Sequence, residues 1–291
     1  MENQTSNYYR RRFATFLVFA IFFIFLGRQL TFLPVINLSR DSFESDSKKE
    51  ILKIIDEKPG SYSIYYKDLK TGKSFGIDEQ QVETGASVNK VPIVAALYLL
   101  NKQGKINLDE KITIQKDDVQ DYGTGTLRYQ EMPQTLSLRN LARLALKISD
   151  NTAAHVLSVR IGEDVVQKFV NSWGMTQTLM ADNQTSTYDM SILFEKIYKG
   201  EIANSSNTKE FLDFMTETET ETRLPENLPT NAKIFHKTGD GEGFVHDVGI
   251  VEIKNHAYYI GVMTSDVSGQ EERASDVISQ ISKKIYDGLV N

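Results

Sequence analysis

Apolar and polar positions divide the chain from about Lys48 onward into strands at both ends and helices between them. The segment EILKIIDEKP predicts an amphipathic helix, because Ile51, Leu52, Ile54 and Ile55 form a stripe. SYSIYYKDLKTGKSFGI predicts two strands around a turn, and AKIFHKTG, HDVGIVEI and AYYIGVMTS predict three more. The final segment, EERASDVISQISKKIYDGL, has the apolar spacing of a helix.

The middle of the chain, from Ser87 to about Glu195, is mainly helical in pattern, as in VPIVAALYLLNKQG, LRNLARLALKI and AAHVLSVRIG. This order predicts an α+β fold, an α/β/α sandwich with an antiparallel sheet built from both termini of the domain and an inserted all-helical lobe. A cleft between sheet and lobe is the expected site.

The N-terminal segment follows a different pattern. Arg10-Arg11-Arg12 precede an uncharged apolar run over residues 13–27, which resumes after Arg28. A cleaved signal peptide, a buried core helix and a membrane anchor all remain open. No A-x-A-like cleavage site follows, and a core helix is rarely so apolar behind three arginines, so the anchor is favoured.

We therefore expect a cytoplasmic basic tail over 1–12, a membrane anchor over 13–37, a polar linker over 38–47 and a folded domain over 48–291. Under the positive-inside rule the folded domain lies outside the bacterial cell membrane. If the apolar segment is cleaved, the domain is secreted.

Composition excludes several classes of function. The 291 residues are 40% hydrophobic and 25% charged, as in ordinary globular proteins. A net charge of −6 argues against a nucleic-acid partner. The absence of cysteine excludes disulfides and thiol catalysis. Four scattered histidines without an HExxH string lead us to expect no metal and no cofactor.

Three short strings carry the candidate chemistry, and they occur in the order Ser87-Val88-Asn89-Lys90, Ser149-Asp150-Asn151 and Lys237-Thr238-Gly239. Each is weak alone. S-x-x-K occurs twice more without an apolar helix behind it, and S-D-N residues commonly begin helices. Their order and placement together indicate one site.

Ser87 and Lys90 have the spacing of a nucleophile and its base. A serine hydroxyl needs a base to take its proton. Three residues apart at a helix start, the two side chains lie on one face, where the helix dipole favours negative charge. Ser87 could also act as a helix N-cap.

The string K-T-G occurs twice. Lys70-Thr71-Gly72 lies between two predicted strands, so it is interpreted as a turn. Lys237-Thr238-Gly239 ends a strand, where the glycine could let a ligand approach the backbone.

The segments GASVNKVPIVAALYLL, KISDNTAAHVL and HKTGDGEGFVHDVGIV resemble those of class A serine β-lactamases and their D,D-peptidase relatives. The resemblance covers roughly Gly60 to Leu289. It implies an acyl-serine mechanism in which Ser87 is the nucleophile and Lys90 a proton acceptor. Ser149 would relay a proton to the departing nitrogen, and Asn151 would position Lys90 and a substrate amide.

The same resemblance implies that Lys237, Thr238 and Gly239 bind the substrate carboxylate. Main-chain N–H groups of Ser87 and Asp240 would form the oxyanion hole.

Five further residues are candidates for the site or for its support. Arg223 resembles an arginine that assists carboxylate binding, or it forms a structural surface pair. Tyr122 is either an aromatic wall of the cleft or a core residue. His246-Asp247 and His236 are expected to be structural.

The chain departs from class A β-lactamases in one loop, whose glutamate activates the deacylating water. The corresponding segment here, MTQTLMADNQTSTYDM, has no glutamate. Asp182 is its only carboxylate before Asp189, which is expected to begin the next helix. Asp182 is either a substitute base or a solvated turn residue.

The missing glutamate favours D,D-peptidase or penicillin-binding behaviour, with a β-lactam or a peptidoglycan stem peptide as the partner. A class A β-lactamase that hydrolyses β-lactam antibiotics is the alternative. An inactive wall-binding module is the second alternative.

Overall fold

The computed structural model describes residues 41–254 and 256–290. Within them lie nine strands: β1 Ser61–Asp68, β2 Ser74–Ile77, β3 Glu83–Thr84, β4 Lys111–Ile114, β5 Gln134–Ser137, β6 Gln184–Thr185, β7 Lys233–Gly241, β8 Phe244–Ile253 and β9 His256–Ser265. The same residues form eight α-helices: α1 Asp41–Ile55, α2 Lys90–Lys102, α3 Leu138–Lys147, α4 Asn151–Ile161, α5 Glu163–Ser172, α6 Thr187–Tyr198, α7 Ser205–Asp213 and α8 Glu271–Val290.

The central sheet is antiparallel and joins the two ends of the folded unit in the strand order β2-β1-β9-β8-β7. In its register Ser61 pairs with Ser265, and Lys237 pairs with Val248. The strands β4 and β5 form one small two-stranded sheet and β3 and β6 another. The predicted α+β fold, with its sheet from both termini and its helical insertion, is confirmed.

Alternating side chains of β9 build the two hydrophobic cores. Tyr258 and Ile260 face a core shared with α1 and α8, while Tyr259 and Met263 face the core of the helical lobe. A strand directs successive side chains to opposite faces, so one apolar strand serves both layers. This explains why the β9 segment is continuously hydrophobic.

Helix α1 starts earlier than its apolar stripe predicted. From Asp41 onward the segment expected to be a linker over 38–47 is helical, and Phe43 contacts Tyr66 with ring centroids 5.5 Å apart. The linker prediction is therefore wrong for that part, because polar surface residues there extend a helix docked on the sheet. The expected tail 1–12 and anchor 13–37 lie outside the described residues.

No helix within residues 41–254 and 256–290 is both long and apolar enough to cross a membrane.

The first K-T-G string is a turn, as predicted. It connects β1 to β2, and Gly72 has a φ of +73°, which glycine adopts without steric cost. Asp68 Oδ1 accepts hydrogen bonds from the backbone N–H groups of Lys70 and Thr71 at 2.8 Å each.

Candidate active site

Ser87 lies in a short 3₁₀ turn, Ala86–Asn89, that leads directly into α2. Neither helix start uses a side-chain cap, so the Ser87 hydroxyl is not an N-cap. Lys90 Nζ instead donates a hydrogen bond to Ser87 Oγ at 2.7 Å. The predicted pair of nucleophile and base is therefore in direct contact.

Lys90 Nζ contacts four oxygen atoms. Besides Ser87 Oγ, it lies 2.5 Å from Ser149 O, 3.1 Å from Ser149 Oγ and 2.6 Å from Asn151 Oδ1. Burial, followed by the charge of Lys237, lowers the pKa of Lys90 to about 7. An amine with that pKa can accept a proton near neutral pH.

The S-D-N string both begins a helix and supplies site atoms. Asp150 is the N-cap of α4, and its Oδ1 accepts from the N–H of Ala153 at 2.9 Å. Its Oδ2 accepts from the N–H groups of Thr126 and Leu127, at 2.7 and 2.9 Å. Asp150 thus ties the loop before β5 to the start of α4, a role that the sequence did not reveal.

Ser149 and Asn151 project from either side of this cap into the cleft. Ser149 has a φ of +56°, a left-handed conformation that is uncommon for a residue with a Cβ atom. Asn151 Nδ2 donates to Tyr122 O at 2.9 Å while its Oδ1 accepts from Lys90. The Asn151 amide is therefore held at both ends.

Lys237 connects β7 to the same group. Its Nζ donates to Ser149 Oγ at 3.0 Å and to Thr238 O at 2.9 Å. Burial lowers its pKa to about 8; Asp240 and Asp247 oppose that shift. Lys237 therefore remains a cation at neutral pH.

Gly239 lets β7 pack against the turn that carries Ser87. A Cβ atom at this position would lie 3.0 Å from Gly85 O, 3.2 Å from Val88 Cγ2 and 3.3 Å from Ala86 Cβ. The glycine was expected to admit a ligand. Its missing side chain admits the 3₁₀ turn, and the approach of a ligand stays a prediction.

These elements enclose a cavity of about 690 Å³. It is lined by eight predicted site residues: Ser87, Lys90, Tyr122, Ser149, Asn151, Lys237, Thr238 and Asp240. Tyr122 is 64% exposed and forms part of the wall, so its interpretation as a core residue is wrong.

Several residues that line the cleft were not singled out from the sequence, among them His155, Glu219 and Phe244. Only His155 had a usable signal, its spacing of four residues from Asn151 on a predicted helix.

Arg223 lies behind the cleft and does not line it. It is 4% exposed, so it does not form a surface pair, and its assistance to carboxylate binding stays a prediction. The guanidinium binds both carboxylate oxygens of Asp240, and it donates to His246 O at 2.8 Å and to Gly239 O at 3.4 Å. Arg223 thus fixes the end of β7 through its backbone and through Asp240.

His236, a buried residue of β7, pairs with two carboxylates. Its Nδ1 lies 2.8 Å from Asp247 Oδ1, and its Nε2 lies 3.1 Å from Glu221 Oε1 and 3.2 Å from Thr218 Oγ1. Burial by itself lowers the pKa of His236, but Asp247 and Glu221 together raise it to about 9. The imidazolium joins the loop containing Thr218 to the sheet.

His246, unlike His236, lies in an environment that disfavours its charged form. Its Nε2 lies 2.8 Å from Thr84 O, and its Nδ1 accepts from the N–H of Thr264 at 3.1 Å. Burial lowers the pKa of His246 to about 4.

Among residues 41–254 and 256–290, no three histidine, aspartate or glutamate side chains are grouped to hold a metal ion.

Residues 46–289 match the family described as the Beta-lactamase enzyme family. The chain belongs to this family. It is a serine hydrolase of the β-lactamase type. A β-lactamase of Bacteroides uniformis is 26% identical over 226 residues, which cover 67% of this chain and 75% of that protein.

Among solved structures, that of PBP-A is 30% identical, with a TM-score of 0.78 over 84% of this chain and 96% of that one. A leucine-to-glutamate mutant of PBP-A, solved as an acyl-enzyme complex with penicillin G, is 29% identical over the same shares, also with a TM-score of 0.78.

In this β-lactamase family member the glutamate-free loop places no carboxylate in the cleft. Met180 and Asn183 line the cavity, whereas Asp182 is exposed and does not. Asn183 O accepts from the N–H of Gly85 at 2.6 Å, and Asn183 Oδ1 accepts from Asn89 Nδ2 at 2.8 Å. The loop therefore supports the turn that carries Ser87 through the backbone and side-chain amides of Asn183.

Asp189, the other carboxylate of that segment, is the third residue of α6. It is buried, and its Oδ2 accepts from Gln177 N at 2.7 Å and from Thr178 Oγ1 at 2.8 Å. Asp189 therefore holds the base of the loop and does not line the cavity.

Proposed function

We propose that the chain forms an acyl-enzyme at Ser87 with D-alanyl-D-alanine peptides and with β-lactams. One observation carries the proposal. Lys90 Nζ contacts both Ser87 Oγ and Ser149 Oγ, and Lys237 Nζ contacts the same Ser149 oxygen. A proton can therefore pass from the nucleophile to a departing nitrogen along one connected set of atoms.

Acylation follows from these contacts. Ser87 Oγ attacks the scissile carbonyl carbon while neutral Lys90 takes its proton. The tetrahedral intermediate collapses, the carbon–nitrogen bond breaks, and Ser149 Oγ gives its proton to the leaving nitrogen. Lys90, 3.1 Å from Ser149 Oγ, returns a proton to Ser149 and is neutral again.

Binding uses the opposite wall of the cleft. Lys237 and Thr238 hold the substrate carboxylate, since a buried ammonium beside a hydroxyl is an anion site. The N–H groups of Ser87 and Asp240 receive the oxyanion; losing one such donor typically costs on the order of a hundred- to a thousand-fold in rate. Gly239 permits the contact between β7 and the turn that brings these two backbone segments together.

Within this chemistry we favour D,D-peptidase or penicillin-binding behaviour over rapid β-lactam hydrolysis. The loop that carries the deacylating glutamate in class A β-lactamases contributes Met180 and Asn183 to the cavity here, and Asp182 lies outside it. A β-lactam keeps its opened ring on the acyl group, which hinders water. The leaving group of a peptide substrate departs after acylation and therefore does not hinder water. The penicillin G acyl-enzyme of the PBP-A mutant supports penicillin as a probe for this chain.

Efficient β-lactamase activity is the second candidate, and the naming of curated relatives as β-lactamases favours it. An inactive wall-binding module is the third. The direct contact of Lys90 with Ser87 and Ser149 argues against the module, because wall binding alone needs no such proton path.

Labelled penicillin separates these functions. We expect attachment to wild-type protein, loss of the label in Ser87→Ala, and an adduct that persists for minutes or longer. Rapid multiple turnover of a chromogenic cephalosporin would establish the β-lactamase instead. A wild-type protein that takes no label but still binds purified cell wall would establish the module.

For location, we propose that residues 13–37 anchor the protein in the bacterial membrane with the hydrolase domain outside. The arginines before this segment and its uncharged run support that topology. Detergent, but not high salt, should release the protein from membranes, and external protease should digest the domain in spheroplasts. Recovery of the domain from the culture medium would indicate cleavage instead.

A further inference from the structure

The cleft continues past Lys90 along one face of α4, where the side chain of His155 lines it. Asn151 and His155 are four residues apart in α4, so their Cβ atoms are about 5–6 Å apart on the same face. The imidazole of His155 has no hydrogen-bond or ion-pair partner among residues 41–254 and 256–290. An unengaged base therefore shares the cavity of the nucleophile.

The direction of α4 places His155 on the side of the helix that faces Asn151. Helical side chains lean toward the helix N-terminus, so His155 leans toward Asn151. Asn151 Oδ1 is 2.6 Å from Lys90 Nζ, which is 2.7 Å from Ser87 Oγ. We propose that His155 is the general base of deacylation, acting on a water molecule between its imidazole and the acyl group on Ser87.

The other groups of the cleft are worse placed for this role. Lys90 Nζ is already surrounded by four oxygen atoms, which leaves little space for a water. Ser149 and Lys237 occupy the side from which the leaving group departs. Asp182 lies outside the cavity. Glu163 and Glu219 line it but both are exposed, and the carboxylate of Asp240 is paired with Arg223.

Deacylation consumes one water molecule. The water oxygen attacks the acyl carbonyl carbon, and its proton passes to a ring nitrogen of neutral His155. The tetrahedral intermediate collapses with rupture of the bond from carbon to Ser87 Oγ, and Ser87 Oγ regains a proton from the imidazolium or through Lys90. The products are a free carboxylic acid, the serine hydroxyl and neutral His155.

This inference rests on the proposed acyl-enzyme, so its test measures acylation and deacylation separately. The substrate is an N-acyl-D-alanyl thioester, whose reactive carbonyl makes deacylation rate-limiting. We expect His155→Gln to lower kcat about a hundredfold while the rate constant of acylation, followed by rapid quench, stays unchanged. Hydroxylamine should restore turnover in His155→Gln, because a strong nucleophile needs no general base.

Two other polar residues of the cavity provide control variants. Glu163→Gln and Ser158→Ala, which change other polar residues lining the cavity, should keep the wild-type kcat. His155→Asn is a second variant should His155→Gln fold poorly. A wild-type kcat in both histidine variants overturns the inference, as does an equal loss in Glu163→Gln or failure of hydroxylamine to restore turnover. Absence of acylation in the wild-type protein would instead overturn the proposed function.

Discussion

At the scale of single residues, two buried lysines share the site and must carry different charges. In the proposed mechanism Lys90 has to be neutral to accept a proton, and Lys237 has to be charged to hold a carboxylate. Both are buried, and each lies within the field of the other. Because their pKa values are about 7 and about 8, a neutral Lys90 and a charged Lys237 coexist mainly in the narrow range of pH between these values.

This arrangement predicts a bell-shaped pH profile for acylation. The second-order rate constant for labelled penicillin should rise as pH increases through about 7, since Lys90 loses its proton, and fall above about 8, since Lys237 loses its charge. Because the lysines interact, the two limbs belong to the pair. A rate constant that stays flat from pH 6 to about 9 would contradict this account of the lysines.

Gly239 gives a second prediction at this scale. In Gly239→Ala the new methyl group would press on Gly85 O, Val88 and Ala86, all in or beside the nucleophile turn. We expect acylation to slow at least about tenfold and the free energy of unfolding to fall by about 1–3 kcal/mol. Stopped-flow acylation and urea unfolding measure the two effects. An acylation rate equal to that of the wild type would show that the turn can move aside.

At the scale of elements, the site depends on contacts that bring distant segments of the chain together. The short-range parts could be predicted: Ser87 and Lys90 from helical spacing, and the strands from apolar alternation. Three contacts could not: Arg223 with Asp240, His236 with Glu221, and Asn183 with Gly85. Such pairs form only when the tertiary fold brings loops together. Local sequence patterns do not reveal contacts between residues that are far apart in the chain.

The link between His236 and Glu221 is one of these contacts, and it makes stability depend on pH. The pKa of His236 is raised from 6.5 to about 9, so its contribution is complete below 6.5 and is lost as pH rises through about 9. Partial burial by itself raises the pKa of Glu221, but hydrogen bonding to His236 lowers it below 4.5. The contribution of Glu221 to stability therefore requires a pH above that value.

We therefore expect the stability difference between wild type and Glu221→Gln to be largest at about pH 5–6.5 and to shrink toward pH 9. Because Glu221 is partly exposed, the difference should not exceed about 1 kcal/mol. Chemical unfolding across this pH series measures it. Glu226→Gln, an exposed glutamate in the same segment, is the matched control and should show no such trend. A difference that grows with pH would refute the ionic link.

At the scale of the whole molecule, the central sheet separates a core that supports the site from one that does not. Leu157 of α4 belongs to the lobe core, and Ile278 of α8 belongs to the core on the other face of the sheet; both are fully buried. Removing either side chain should cost about 2–5 kcal/mol of stability. Only α4 also positions Asn151, and through it Lys90.

Leu157→Ala and Ile278→Ala should therefore be similar in stability and different in activity. We expect Leu157→Ala to slow the acylation of Ser87 at 25 °C, because a cavity under α4 lets Asn151 shift, and a small misplacement of a positioned group costs up to about a hundredfold. Ile278→Ala should acylate like the wild type while it remains folded. Urea unfolding and stopped-flow acylation on the same samples compare the two. Equal slowing in both variants would mean that the sheet transmits disturbances between its faces, and that the site depends on both cores.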